Sequence, residues 1–238
     1  MFDKSNKKSI KEFVKTPIFP ARQVCGEEEM INCQPEYIYD SKIVCRYMII
    51  QHLSENKVKG DIIDLGCGSG ANSFDFAKKN SHNRKIYAFD NFKGYTDFDI
   101  EESKEKFNPK IAQGLIDNEG RWDISSEIFQ EKIDKSGLDI EIVKGDIQET
   151  TKNFKPKSGS ISLLYIDCNT YGASISAINN LKQYFSDGAL VFVDGGFCPP
   201  ANFLDGEKTA LLEYSKLENL PMFRTFFGNY ASFFVRVM

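Results

Sequence analysis

The run Asp61-Ile-Ile-Asp-Leu-Gly-Cys-Gly-Ser-Gly-Ala-Asn-Ser73 sets three glycines, Gly66, Gly68 and Gly70, on alternate positions directly behind an acid, Asp64. Glycine lets a chain turn sharply and lie against a ligand with no Cβ in between. The spacing is G-x-G-x-G, not the G-x-G-x-x-G of a pyrophosphate binder. A carboxylate at Asp64 would repel a pyrophosphate but suits the ammonium of an amino-acid tail. The ligand this chemistry fits is S-adenosyl-L-methionine (SAM). Glycine clusters also make plain turns, and that reading stands beside it.

Two further acids sit where such a ligand needs them. Asp90 ends the short run Lys-Ile-Tyr-Ala-Phe and lies about 20 residues past Gly70, the distance at which nucleotide-binding folds place the acid that holds the ribose hydroxyls. A carboxylate accepts two hydrogen bonds from a diol with good geometry. Ser73 and Asn91, beside these two motifs, join the expected cofactor set. Asp146, in Lys144-Gly-Asp-Ile147, could accept from the adenine amino group, with Ile147 covering the ring. The plainer reading of Asp146 is a turn-forming aspartate.

The elements that must position these residues alternate. Residues 1 to about 34 show no clear periodicity and read as a loose arm or lid, with a single domain over 35–238. A helix begins near Pro35 and carries Ile43, Val44, Tyr47, Met48, Ile50 and Leu53 at helical spacing. The pattern then predicts a strand at 61–65, a helix at 71–80, a strand at 85–90 and an insert over about 91–123. A helix near 125–136 and a strand at 139–143 follow. Ile161–Asp167 and Ala189–Asp194 read as buried strands, each followed by a helix, about 171–185 and 206–218. The chain closes on two aromatic strands, Met222–Phe227 and Ser232–Val237, separated by Gly228 and Asn229. So short a turn cannot join parallel strands. The expected fold is α/β: a Rossmann-like, doubly wound, mainly parallel seven-stranded sheet with an antiparallel C-terminal strand. The insert exceeds the length usual for a structureless loop, so it is a functional lid or holds a helix of its own.

Composition narrows the setting. The chain has 238 residues, 41% of them hydrophobic, enough for a sizeable core. No apolar run approaches the roughly 20 residues of a membrane span, and no apolar signal core follows the first charges. The six cysteines form no C-x-x-C pair and read as free thiols of a reducing cytoplasm. A net charge of −4 without a long basic run argues against nucleic acid or an anionic membrane as partner. A small-molecule acceptor is the expected partner, and a homo-oligomer is left open.

The order Asp-x-Gly-x-Gly-x-Gly, an acid after the second strand, Gly-Asp after the third and an antiparallel closing pair resembles class I SAM-dependent methyltransferases. Within them, Tyr87-Ala-Phe-Asp-Asn-Phe-Lys-Gly94, Leu164-Tyr-Ile-Asp-Cys-Asn-Thr-Tyr-Gly-Ala-Ser174 and Gly188-Ala-Leu-Val-Phe-Val-Asp-Gly195 resemble the macrocin O-methyltransferase (TylF-like) group. The resemblance covers roughly residues 60–237 and implies methylation of a hydroxyl on a sugar or sugar-containing small molecule.

It also implies a magnesium site, from Asp-x-Asp after one strand and Asp-Asp after the next. Here those positions read Asp167-Cys168-Asn169 and Asp194-Gly195. Asp167 and Asp194 remain as candidate Mg2+ ligands, one carboxylate is an amide and another is glycine, so the site carries less charge. The plainer reading is that these strand-end acids cap helices or line a polar cleft. A hydroxyl must lose its proton as it attacks, and the sequence has two histidines, His52 and His82. His82 precedes a strand, at the wrong sheet edge, and His52 reads as a helix-face residue. The base is then Asp167 or Asp194, or a metal-bound alkoxide; Asp167 also borders the cofactor. Tyr37 and Tyr39 could close over the sulfonium as a lid, or anchor the first helix. Trp122 could carry the substrate, or pack the insert onto the core. Two other readings stay open: a metal-independent N- or carboxyl-methyltransferase, and a non-catalytic SAM-binding partner protein.

Overall fold

The computed structural model describes residues 22–24, 42–80, 83–107, 113, 116–117, 125–194, 206–227 and 230–238. Tyr37, Tyr39, His82, Trp122 and Gly195, and the expected lid apart from three residues, lie outside the described residues.

The strands are β1 (Arg22–Val24), β2 (Asp61–Leu65), β3 (Ile86–Asp90), β4 (Ile140–Lys144), β5 (Ile161–Ile166), β6 (Phe185–Val193), β7 (Met222–Phe227) and β8 (Tyr230–Arg236). They form one sheet in the order β1-β7-β8-β6-β5-β2-β3-β4. β2, β3, β4, β5 and β6 run parallel, and β8 lies antiparallel between β6 and β7. The seven strands read from the sequence are all present. The eighth comes from the supposed arm: Arg22–Val24 pairs antiparallel with β7 at the sheet edge. Three residues carry too little periodicity to be seen as a strand. β6 also starts earlier than expected, at Phe185, after a 3-10 turn over Lys182–Tyr184.

The helices are α1 (Lys42–Glu55), α2 (Ala71–Lys79), α3 (Asp97–Lys106), α4 (Ser126–Ser136), the one-turn α5 (Ile147–Thr150), α6 (Tyr171–Leu181) and α7 (Gly206–Leu217). The insert does contain a helix, α3. Its start is a capping box: Asp99 N–H donates to Thr96 Oγ1 at 3.1 Å, and Thr96 N–H donates to Asp99 Oδ2 at 2.9 Å.

Strand residues alternate between two cores. Ile63, Leu65, Phe89, Leu164, Val191 and Val193 pack with α6 and α7. Ile62, Ala88, Leu163, Tyr165 and Phe192 pack with α1, α2 and α4 on the other face. On this second face an aromatic ladder crosses four strands. Tyr165 stacks on Phe192 with ring centroids 5.4 Å apart, Phe192 on Phe234 at 5.9 Å and Phe234 on Phe223 at 5.3 Å. These are register partners on neighbouring strands, so the ladder ties the antiparallel pair to the parallel half.

Candidate active site

At the carboxyl edge of β2 the glycine turn has positive φ at all three positions: 76° at Gly66, 50° at Gly68 and 83° at Gly70. Two of them are also close approaches. A Cβ on Gly66 would stand 2.3 Å from the Asp167 carbonyl oxygen, and one on Gly70 would stand 2.1 Å from the Phe129 ring. The turn is thus pressed against the end of β5 on one side and against α4 on another.

Asp90 stands beside this turn and braces it. Its Oδ2 accepts from Gly68 N–H at 2.8 Å and its Oδ1 from Phe92 N–H at 2.7 Å. Each oxygen keeps a lone pair, and the residue is half-buried, so it can still accept from a diol. Burial raises its carboxyl, and the backbone bonds from Phe92 and Gly68 oppose the rise. Asn91 closes the same loop: its amide donates to Gly94 O at 2.8 Å and its carbonyl accepts from Lys93 N–H at 2.7 Å. It shapes this loop through both ends of its side chain.

Two expected cofactor ligands lie deeper than the sequence reading placed them. Asp64 and Ser73 are both 0% exposed, and Ser73 Oγ donates to Asp64 Oδ2 at 2.5 Å. Strand alternation aims Asp64 at the α1/α2 face, next to Tyr165 in register. Asp64 therefore ties α2 to β2 beneath the turn; it is no open carboxylate in a cleft. Burial pushes its carboxyl up to about 7, with Ser73 and the Arg46 charge pulling the other way. Arg46, on α1, is itself buried and bonds Asp75 of α2 at 2.9 Å through Nε.

Asp146 takes its plainer role as well: its Oδ1 accepts from Gln148 N–H at 2.8 Å and caps α5. Ile147, buried, lies in the α6/α7 core layer at the same sheet edge.

The acid pair is brought together. Asp167 N–H donates to Leu65 O at 2.9 Å and Asp194 N–H to Ile166 O at 2.8 Å, so the two end adjacent parallel strands level with the glycine turn. Asp167 is half-buried, and its Oδ2 accepts from Asn72 of α2 at 3.2 Å. Asp194 is 5% exposed. Strand alternation carries Asp167, two beyond Tyr165, and Asp194, two beyond Phe192, toward the α1/α2 face, and burial, then the charges of Asp194, Cys45 and Asp167, push the Tyr165 hydroxyl well up.

Among the described residues no group of three or more His, Cys, Asp or Glu is placed to hold an ion. Asn169, the third expected ligand, uses its amide to donate to the Tyr95 hydroxyl at 3.0 Å. No step below is routed through magnesium.

His52 is excluded as base. It is 1% exposed, its Nδ1 meets Asn56 Nδ2 at 3.2 Å, and burial with the Arg236 charge lowers it to about 4. His52 lies in the last turn of α1, whose end leads through Val58 into the start of β2, which sets it at the amino edge of the sheet, away from the glycine turn.

Sequence reasoning missed Tyr95 and Glu207. Glu207, 2% exposed in the first turn of α7, accepts from Asn169 N–H at 2.5 Å. A first-turn glutamate is ordinary in any helix, so no signal marked it.

Comparison with known proteins bears on the whole arrangement. No curated protein matches. Among solved structures, the O-methyltransferase NovP superposes with a TM-score of 0.67 at 18% identity, covering 90% of this chain and 89% of its own. The calicheamicin methyltransferase CalS11 gives 0.64 at 20% identity, covering 98% and 91%. The methyltransferase PaMTH1 of Podospora anserina, solved with SAH bound, gives 0.52 at 14%, covering 100% and 97%. At these identities the likenesses establish the fold. The methyltransferase-domain family matches residues 63–195, more than half of the chain and the stretch from the glycine turn to the end of β6, and the chain belongs to that family.

Proposed function

We propose that the protein transfers a methyl group from SAM to a hydroxyl of a small molecule, with a sugar or sugar-containing metabolite as acceptor. The observation that carries this is the half-buried Asp167 carboxylate, bonded to Asn72 at 3.2 Å, standing level with a glycine turn braced by Asp90. NovP is described as an O-methyltransferase and CalS11 as a TDP-rhamnose 3'-O-methyltransferase, which supports the acceptor class. The negative net charge supports a small molecule over nucleic acid.

When bound, SAM supplies an electrophilic methyl on a sulfonium. The protein's own work is placement and proton removal. The Gly66–Gly70 backbone and Asp90 hold the nucleoside, with Ile147 at the adenine end. Asp167 accepts the proton of the attacking hydroxyl, and its bond from Asn72 fixes the plane of the carboxylate. Asp194, behind it on the next strand, adds a second acceptor for the acceptor molecule's oxygens. Alignment of methyl and oxygen supplies the larger part of the rate.

The test pairs two variants. Asp167→Asn should stop turnover of SAM with TDP-rhamnose as probe while leaving calorimetric SAH affinity unchanged. Asp90→Ala should lower SAH affinity by roughly 2–4 kcal/mol, the worth of a charge-assisted pair. Turnover that survives Asp167→Asn sinks the assignment of the base. Running the native protein with excess chelator, then with magnesium restored, shows whether an ion shares the work.

A further inference from the structure

Gly172, in the Tyr171-Gly-Ala-Ser174 stretch that opens α6, is a glycine without a left-handed backbone. What the position requires is space: a Cβ there would stand 2.7 Å from Glu102 Oε2 and 3.0 Å from Gln148 Nε2. Glu102 comes from α3, the helix of the insert, and Gln148 from α5. Gln148 Oε1 also meets Ser176 Oγ of α6 at 3.5 Å. Three helices thus converge on one bare backbone position.

The first turn of α6 has no negative charge of its own. It holds no acidic residue, and its N-cap, Thr170, makes no side-chain cap bond. The unpaired N–H groups of a helix start favour an anion, and the effect fades within a turn. Glu102, its side chain 11% exposed, brings that anion in from α3. Further contacts continue outward. Lys106, one helical turn along, meets Glu102 Oε1 at 3.2 Å and stands 4.0 Å from the centre of the Tyr171 ring. The Phe107 ring lies 5.8 Å from the same ring, and the Tyr171 hydroxyl donates to Glu213 of α7 at 2.7 Å. Asp99, Ile100 and Ser103, buried at the matching helical spacing, complete the inward face of α3.

The seat of α3 bears on the loop that precedes it. That loop leaves Asp90, which accepts from the backbone of Gly68 and Phe92, and ends at the Thr96 cap. Its near end is held by the glycine turn and its far end by α3. We infer that Glu102, Gly172 and Lys106 are positioning residues for the cofactor: they seat the insert helix on α6 and so keep the Asp90 loop in its binding arrangement. This rests on the reading of Asp90 as the ribose acid given above. A protein whose binding form is populated only part of the time binds more weakly by that fraction. Loosening the seat is therefore read as lost SAH affinity.

Gly172→Ala separates this role from a merely structural one. The side chains it crowds are long and can swing away, and alanine favours a helix over glycine. The variant should melt no lower than the native protein. Its SAH affinity by calorimetry should nonetheless fall roughly threefold to tenfold, the range of a charge at a helix start. In the ligand-free protein the amides of 97–106 should exchange faster, and those of α4 should not change. Glu102→Gln, which keeps the shape and removes the charge, should reproduce both effects. Lys106→Gln should weaken SAH binding by roughly two- to threefold, and Lys106→Arg should restore it, since a guanidinium also pairs with Glu102 and stacks on the ring. Unchanged SAH affinity in Gly172→Ala and Glu102→Gln overturns the inference, as does exchange that rises equally in α3 and α4. SAH binding that Asp90→Ala weakens and Gly172→Ala does not overturns this inference alone and leaves the ribose acid in place. A native protein that binds no SAH overturns both readings.

Discussion

A carboxyl group cut off from water holds its proton, and Asp64 shows what that does to stability. Its folded value of about 7 stands above its ordinary 3.8, chiefly through burial. Between those values the folded chain keeps a proton that the unfolded chain has released. Stability from this group is therefore greatest below its ordinary value and falls as pH rises to about 7. Asp64→Asn, which keeps an acceptor for Ser73 but carries no charge, should match the native protein at pH 4 and melt several degrees higher at pH 8. Melting curves at the two pH values check this, and an equal shift at both would remove the role given to burial. The sequence marked Asp64 as a cofactor ligand, and the structure shows it buried and bonded to Ser73. An acid before a glycine turn reads as a ligand because nothing in the sequence says how deep it lies.

Elements decide which glycines matter. Gly66 combines a φ of 76° with a backbone oxygen 2.3 Å from any added Cβ. Gly137, the cap of α4, has a φ of 67° but nothing within 4 Å. Gly137→Ala should cost only the left-handed backbone, roughly 1–2 kcal/mol, with SAH affinity unchanged. Gly66→Ala should cost more and lower SAH affinity as well, since the Asp167 backbone cannot yield without moving the acid it carries. Chemical denaturation and calorimetry on both variants separate the two outcomes. Both glycines look alike in sequence, because both end an element. Only the packing of β5 over the turn distinguishes them.

At the scale of the whole molecule, the sheet accounts for the placement of the candidate site residues. Four of the five parallel strands, β2, β3, β5 and β6, bring Asp64, Asp90, Asp167 and Asp194 to one edge, and the reversed β8 closes the other flank. β1 extends that flank by pairing with β7. Its amides should exchange slowly without any ligand present, because they are held by strand pairing and not by closure over the cofactor. Hydrogen exchange resolved to residues 22–24 checks this. Protection that arises only with SAM and acceptor would restore a lid role to that stretch. Among the described residues no helix is long and apolar enough to cross a membrane.

The sequence by itself determined the fold class, the seven main strands and the position of the glycine turn. These are local properties: β-branched runs, glycine spacing and an acid at a set distance repeat wherever this chemistry is built. It also named Asp167 and Asp194, since strand-end acids in such sheets face the ligand edge. Tertiary structure alone decided that Asp64 and Ser73 bond each other in the interior, that Asn91 and Asp146 accept from nearby backbone N–H groups, and that Asn169 donates to Tyr95. It also brought in Glu207, 38 residues from Asn169 along the chain. The physical reason is that hydrogen-bond partners and burial depend on what distant segments place nearby, and residue type and spacing carry no record of that.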